Sequence, residues 1–267
     1  MSMDLSIIIV NYNSKAKALN CLESIGRADL AGIDYEVIVV DNNSRDGISE
    51  AIKSGFPKAK FIQSERNRGM GGGNNLGVRG AAGEYLLILN PDTMVKEDSI
   101  KTMLEAERQD PQIGLLGPKL LYRNGRLQYS CLRFPKLLTP IYRRTFLGKF
   151  AERHLDQFLM KDYDHETRRQ VDWVQGSCML IKRSLFTDLA GFDERFFMYF
   201  EDTDLCRRIR QAGFKVMYDP RAIVIHDHER ASASDSWYIA PFTNRLSQIH
   251  LASWIKYFIK WKFRANL

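Results

Sequence analysis

The chain carries short apolar runs with little polar alternation, of which Tyr85–Leu89 (YLLIL), Leu5–Val10 (LSIIIV) and Tyr35–Val40 (YEVIVV) are the strongest. Runs of this length are too short for a buried helix and predict strands covered on both faces of a sheet. Between them the pattern turns helical: from Asn13-Ser14 to about Gly26, and from a cap at Ser44 or Asp46 to about Gly55. Lys60–Ile62 predicts a short strand, and residues 71–82 a glycine-rich turn entering a helix. Ser99–Glu107 predicts a helix capped by Asp98 or Ser99, and Ile113–Leu116 a further strand. Strands alternating with helices imply right-handed crossovers and a parallel sheet.

The pattern changes between about Leu120 and Arg169. Prolines at 135 and 140 break it, and Arg143, Arg144, Lys149 and Arg153 are interleaved with Tyr142, Phe146 and Phe150. Such a stretch reads as a solvated face or as a lipid or polymer contact surface. Val171–Ser177 leads into Cys178–Ile181, an antiparallel addition to the sheet, and Ser184 is placed to cap a short helix ending at Gly191. An aromatic run, Phe192–Phe200, precedes a helix over Glu201–Arg210 closed by Gly213. Its first turn holds Glu201, Asp202 and Asp204, where the helix dipole favours negative charge. Lys215–Tyr218 and Ala222–Ile225 predict two strands, the second running into His226-Asp227-His228. From Trp237 onward there is no acidic residue, and Lys256, Lys260 and Arg264 recur every four residues as a helical stripe. Among the aromatics Trp254, Tyr257, Phe258, Trp261 and Phe263, that stripe belongs to a helix docked on the domain or to one lying at a membrane interface.

Composition narrows the class. The 267 residues allow one large domain or two closely joined ones, and 45% hydrophobic content excludes a disordered chain. Cys21, Cys131, Cys178 and Cys206 lie far apart without a CxxC pair, which predicts free thiols in a reducing compartment and argues against zinc. No basic segment precedes the first apolar run, and none approaches the roughly 20 residues of a membrane span, so neither a signal peptide nor a span is expected. A net charge of +7 favours anionic partners. Nucleotide phosphates or a membrane surface fit; no nucleic-acid-binding module is recognisable, so nucleic acid is not expected.

The strand ends carry the candidate chemistry. Three predicted strands finish in Asn11-Tyr12-Asn13, Asp41-Asn42-Asn43 and Asn90-Pro91-Asp92. In a parallel sheet these ends share one rim, where open α/β sheets bind ligands, so they predict a nucleotide site. The glycine-rich Asn67–Asn75, which contains Asn74, is neither a P-loop nor a dinucleotide fingerprint. It reads as a flexible turn or as a close approach of backbone to phosphate, with Arg68 or Arg79 as countercharge. An acid at a helix start, such as Asp202, stays ionised and points outward as a general base must. His226, at a strand end opposite a carboxylate-bearing rim, is a candidate metal ligand.

The order and spacing of Ile9–Asn13, Val39–Ser44, Leu89–Asp92, Gly191–Glu194 and Tyr199–Leu205 resemble the inverting family-2 glycosyltransferases of the GT-A fold, in their rhamnosyltransferase-like branch. The resemblance spans residues 5 to 228. It implies a mostly parallel α/β sheet with helices on both faces and a C-terminal helical extension. It implies a nucleotide-sugar-binding half at 1–118, an acceptor-binding and catalytic half at 119–228, and an amphipathic tail at 229–267. By the same resemblance Asp41 hydrogen-bonds a pyrimidine, with Tyr12 and the Asn11 backbone beside the base. Asn43, Arg68 and Asn74 complete the donor side. Asp92 holds Mg²⁺ or Mn²⁺ against the donor pyrophosphate with His226 as a further ligand, Asp202 is the general base, and Trp173, Gly176 and Glu201 line the acceptor side. Asn90 stands where the family's metal motif has its first carboxylate, so one negative charge is missing and a weaker metal site is expected.

The implied activity moves a sugar, rhamnose first among the candidates, from a dTDP- or UDP-linked donor to a glycan or lipid-linked acceptor in cell-surface polysaccharide assembly. The expected place is the cytoplasm, peripheral to the anionic cytoplasmic face of the membrane. The alternatives are a non-catalytic nucleotide- or glycan-binding module on the same fold, or a sugar nucleotidyltransferase. The latter needs a glycine-rich basic loop directly after the first strand, where this chain has Asn11-Tyr12-Asn13-Ser14-Lys15.

Overall fold

A computed structural model describes residues 3–227 and 243–262. The first half alternates as the apolar pattern predicts: β1 (Leu5–Asn11), α1 (Lys15–Gly26), β2 (Tyr35–Asp41), α2 (Ile48–Gly55), β3 (Lys60–Gln63), α3 (Gly69–Arg79) and β4 (Tyr85–Leu89). β1 pairs in parallel with β2 and with β4, and β2 with β3. Every residue of β1 and β4 is buried. Successive residues of β1 feed opposite faces: Ile7 and Ile9 join the core under α1, while Ile8 and Val10 join the core that includes helical residues 205 and 209.

The second half adds β5 (Thr93–Val95), α4 (Ser99–Gln109), β6 (Ile113–Leu121), β7 (Leu127–Gln128), β8 (Cys131–Leu132), α5 (Thr139–Tyr142), a 3₁₀ turn at Phe146–Phe150 and α6 (Glu152–Phe158). After these come β9 (Arg169–Gln170), β10 (Trp173–Val174), β11 (Cys178–Lys182), α7 (Arg183–Asp188), α8 (Glu201–Gln211), β12 (Lys215–His226) and a C-terminal helix, Arg245–Lys262. The main sheet runs β3-β2-β1-β4-β11-β6-β12-β5. β11 is antiparallel to β4 and β6, as predicted, whereas β12 returns parallel to β6.

Several local expectations are corrected. The glycine-rich run is not a turn but the body of α3. A Cβ on Gly73 would lie 2.7 Å from Val10 Cγ1, and one on Gly77 2.6 Å from Ile8 Cγ2. Glycine lets this helix press against the sheet, and that packing overrides its poor helix propensity. The two strands expected at 215–218 and 222–225 are one, β12, with an irregularity between Asp219 and Ile223. Neither Asp98 nor Ser99 caps α4 with its side chain; Ser99 Oγ instead bonds the Ile223 backbone at 2.7 and 3.0 Å. Ser184 lies inside α7, which starts directly after β11. Ser44 Oγ accepts from Asn13 N, while Asp46 accepts from Lys15 N and Ile48 N and so serves the starts of both α1 and α2.

The tail helix is docked, and Lys256 and Lys260 of its basic stripe bond to the domain. Lys260 Nζ lies 2.8 Å from Asp193 Oδ2 and 2.6 Å from Asp204 Oδ1, and Lys256 Nζ donates to Arg195 O. Tyr257 and Trp261 are buried with Phe196 and Phe200. The reason is charge complementarity: two carboxylates on the domain take the lysine that an interfacial helix would have turned to headgroups. Arg264, Phe263, His228 and Trp237 lie outside the described residues.

Candidate active site

The carboxyl ends of β1, β2 and β4 do meet on one rim. Asn11 Nδ2 approaches Asp41 Oδ1 (3.3 Å), Ser44 Oγ (3.0 Å) and Asp46 Oδ2 (3.2 Å). Asp41 is buried and also accepts from Ser44 N and from Gln63 Nε2. Asn42, at the next position, takes the Arg68 N–H on its oxygen and donates to Asn67 Oδ1 and Gly69 O, tying the rim to the start of α3. A cavity of about 530 Å³ opens beside it, a size that suits a bound small molecule.

Tyr12, Asp92, Trp173, Gly176, Glu201, Asp202 and His226 all line this cavity. The remaining candidates do not reach its wall. Asn11 and Asp41 lie beneath the rim, Asn43 is an exposed residue with φ of 66°, Arg68 turns its Nε to Ser64 Oγ, and Asn74 is buried with its amide on Met70 O.

On one side sit Asn90, Asp92 and His226. Gln128 Nε2 donates to His226 O at 2.7 Å, which orients the amide so that Gln128 Oε1 faces His226 Nδ1 at 3.0 Å. Nδ1 therefore carries hydrogen, and Nε2 points at Asp92 Oδ1, 3.4 Å away. A carboxylate and a bare ring nitrogen at that distance need a proton or a cation between them. With the proton, burial raises the Asp92 carboxyl but the hydrogen bond and charge of His226 outweigh it and hold Asp92 below its ordinary range. Asn90 Oδ1 is buried and accepts no hydrogen bond among the described residues, and Asp92 Oδ1 is buried with His226 Nε2 as its neighbour. Two oxygens and an imidazole nitrogen suit a divalent cation. Among the described residues no group of three His, Cys, Asp or Glu side chains forms a complete cage, in keeping with the amide at Asn90.

On the other side, α8 presents an acid pair. Asp202 Oδ2 accepts from Gly176 N at 2.9 Å, and Oδ1 accepts from Thr203 N and Oγ1 at 2.6 and 3.2 Å. Glu201 Oε2 is buried and takes no hydrogen bond among the described residues. Burial, then the charge of Asp202, pushes the Glu201 carboxyl up to about 8. Burial also raises Asp202, but its hydrogen-bond donors oppose the rise. Of the two, Asp202 holds the hydrogen-bond donors that favour a carboxylate, and Glu201 is the one that burial and its neighbour's charge disfavour as an anion.

The family model "Glycosyltransferase like family 2" matches residues 3–238. The chain belongs to that family. Among curated relatives, an N-acetylglucosaminyl-diphospho-decaprenol L-rhamnosyltransferase of Mycobacterium tuberculosis is 30% identical over 98% of this chain and 90% of its own length. The rhamnosyltransferase WbbL of Escherichia coli is 28% identical over 97% of this chain and 94% of its own. Among solved structures, the mannosyltransferase PcManGT of Pyrobaculum calidifontis, in complex with GDP-Man and Mn²⁺, aligns with a TM-score of 0.65 at 19% identity over 97% of this chain and 65% of its own. GalNAc-T7, with UDP, GalNAc and Mn²⁺, aligns at a TM-score of 0.63 and 19% identity over 84% of this chain and 43% of its own. The fold is GT-A, and the glycosyltransferase has the rhamnosyltransferase-like character that its motifs suggested.

Some cavity residues of the glycosyltransferase escape the sequence reading. Arg143 and Arg144, read there as part of a surface patch, line the cavity, as does His250; Tyr199 and Phe200, from the aromatic run before α8, line it too. The adjacent prolines were the available signal for the arginines, since a proline-broken segment can fold back over a site. Tyr199 and Phe200 have φ of 69° and 68°, left-handed values that are strained for aromatic residues. Ser253 Oγ bonds Met198 O at 2.8 Å, and the ring of His250 sits 5.0 Å from Tyr199 and 5.4 Å from Phe200. The C-terminal helix thus braces the corner that delivers Glu201 and Asp202, and a lone histidine in a basic, aromatic tail carries no signal of that role.

Proposed function

We propose that this glycosyltransferase transfers a sugar from a nucleoside-diphosphate donor with inversion in a single displacement, with Asp202 as the general base. The observation that carries the reading is the pairing across one cavity of an ionisable acid pair, Glu201–Asp202, with the cation-suited Asn90–Asp92–His226 group. Asp202 takes the proton of the acceptor hydroxyl as its oxygen bonds the anomeric carbon and the bond to the diphosphate breaks. Glu201 hydrogen-bonds the acceptor beside it, and Trp173 and Gly176 shape that side. Tyr12 lies along the base and Asp41 fixes the rim from below. Asn11, Asn43, Arg68 and Asn74 support the donor half at 1–118, residues 119–228 form the acceptor half, and 229–267 the bracing tail. A Mg²⁺ or Mn²⁺ held by Asp92 and His226 would offset the charge developing on the leaving diphosphate; the two solved relatives with Mn²⁺ support that choice.

L-Rhamnose from a dTDP- or UDP-linked donor to a glycan or lipid-linked acceptor is the favoured pair, supported by the names of the mycobacterial and Escherichia coli relatives. Among the described residues no helix is long and apolar enough to cross a membrane. Phe146 and Phe150 are exposed, at 51 and 84%, in the same stretch of sequence as Lys149 and Arg153, and Ile255 and Ile259 on the C-terminal helix are exposed at 48 and 65%. An apolar and basic surface of this kind supports peripheral attachment to an anionic bilayer at its cytoplasmic face. Co-sedimentation with phosphatidylglycerol vesicles at low salt tests it; a protein that stays in the supernatant excludes it.

The activity is tested by incubating the protein with nucleotide sugars, dTDP-L-rhamnose among them, and a prenyl-diphosphate-linked N-acetylglucosamine. The expected result is chelator-sensitive release of nucleoside diphosphate and a product whose anomeric configuration by NMR is opposite to that of the donor. Retained configuration rejects the single displacement, and turnover indifferent to EDTA rejects the cation site.

A further inference from the structure

The segment that joins β10 to β11, residues 175–177, runs along the cavity between its two charged groups. Its backbone is fixed at three points. Gln175 N donates to Ser130 O at 2.8 Å, Gly176 N donates to Asp202 Oδ2 at 2.9 Å, and Ser177 O accepts from Asn90 N at 2.9 Å. Ser177 therefore stands beside the Asn90–Asp92 turn, in register with the pairing of Cys178 and Leu89 in the sheet. Gly176 stands against the proposed base, where a Cβ would lie 3.1 Å from that of Asp202. One short, pinned segment thus connects the cation-suited group to the acid pair.

Its two side chains carry oxygens that the protein itself leaves unpaired. Gln175 and Ser177 both line the cavity. Ser177 is 3% exposed, and neither its Oγ nor the buried Oε1 of Gln175 has a hydrogen-bond partner among the described residues. Buried polar atoms in that condition are uncommon in folded proteins, because each has given up its hydration for nothing. Asn90 Oδ1 and Glu201 Oε2 share the condition in the same cavity, and they belong to the groups assigned to the cation and the acceptor. Gln175 and Ser177 belong to neither group.

In a single displacement the anomeric carbon sits between the departing diphosphate oxygen and the incoming acceptor oxygen. With the diphosphate on the Asp92 side and the acceptor at Asp202, the transferred sugar ring lies over residues 175–177. A sugar ring presents hydroxyl groups, each able to donate and to accept a hydrogen bond. Gln175 Oε1 can only accept from them, whereas the Ser177 hydroxyl can do both.

We propose that Gln175 and Ser177 form the subsite that reads the hydroxyl pattern of the transferred sugar and so selects among donors sharing one nucleotide. The inference rests on the single-displacement reading above and adds its specificity-determining residues. Gly176 between them has a separate task, since its N–H is committed to Asp202.

The test is a calorimetric titration of the full chain with Mn²⁺. The probes are dTDP, UDP, dTDP-L-rhamnose, dTDP-D-glucose, UDP-D-glucose and UDP-D-galactose. The wild type is expected to separate sugars that share a nucleotide by about tenfold or more. Ser177→Ala and Gln175→Met are each expected to weaken the best-bound nucleotide sugar about tenfold and to narrow that separation, with affinity for dTDP and UDP unchanged. Ser177→Ala is also expected to melt no lower than the wild type, because its Oγ has no partner among the described residues. A serine with a structural role would lower the Tm, and that result overturns the proposal. A wild type that does not separate the sugars overturns it, as do variants that bind every probe normally. Variants that lose bare nucleotide and nucleotide sugar equally assign the pair to the nucleotide and overturn it too. Because no sugar transfer is read, a failed displacement assay and a failed sugar subsite are distinguishable.

Discussion

The rim at the strand ends and the corner before α8 solve opposite physical problems. At the rim, Asn11, Asp41, Ser44 and Asp46 saturate one another with hydrogen bonds, and Asp41 takes donors from three residues. Such a network is rigid because each polar group already has its partners. At the corner, Tyr199 and Phe200 are left-handed, Glu201 Oε2 takes no hydrogen bond among the described residues, and two carboxylates sit side by side in the cavity wall. That arrangement is costly alone and persists because a helix about 50 residues downstream holds it. The rim is prepared by satisfaction, the corner by bracing from outside. The corner depends on the second kind of support, since the left-handed Tyr199 and Phe200 are held by the docked helix.

The comparison breaks most sharply at the base itself. Asp202→Asn is expected to lower transfer by about 10²- to 10⁴-fold, since the amide cannot accept the proton. Nucleotide affinity, which the proposed reading assigns to the rim, should be unchanged in a calorimetric titration with Mn²⁺. Equal loss of both would place Asp202 in the donor site.

Removing the brace comes next. Tyr257 is fully buried against Phe200, so Tyr257→Ala is expected to cost about 3–5 kcal/mol in urea unfolding, as for other large aromatic truncations. Trp261→Phe keeps most of the packing but drops the bond from Nε1 to Asp204 Oδ1, which leaves a buried carboxylate oxygen to Lys260 alone. It should cost about 1–3 kcal/mol and reduce kcat while sparing donor affinity. A brace variant that weakens the donor and leaves kcat intact would contradict the division between the two regions.

On the rim side, Gly77→Ala puts a methyl 2.6 Å from Ile8 Cγ2 and 3.1 Å from Val40 Cγ2. The expected cost is about 1–3 kcal/mol, visible as a lower Tm. The shift of α3 against β1 and β2 should weaken nucleotide binding more than it slows turnover at saturation.

The smallest effect depends on pH. Glu201 is raised in the folded protein, so between the ordinary glutamate range and about 8 the folded chain binds more protons than the unfolded one. Stability attached to this group is therefore present at low pH and declines as pH rises through that window. Glu201→Gln removes the slope, and thermal melts of the two proteins should diverge progressively from pH 5 toward pH 8. Parallel melting curves would mean that Glu201 is ionised in the folded state.

The local sequence determined the strands and their polar ends. Uninterrupted apolar runs bury on both faces wherever they sit, and Asn or Asp at a strand end faces the rim once neighbouring strands are parallel. It also carried the family motifs, and with them the acid pair and the Asn90–Asp92 turn. Tertiary structure alone decided that the glycines of α3 are helical, because the reason is the methyl groups of Ile8, Val10 and Val40 against them. It alone turned Lys260 inward, because Asp193 and Asp204 lie far away in sequence. It brought Arg143, Arg144 and His250 into the cavity with Asp202, since a charge has the same local pattern whether it meets water or a ligand. Periodicity reports which residues avoid water; it carries no record of which distant charge or ring will meet them.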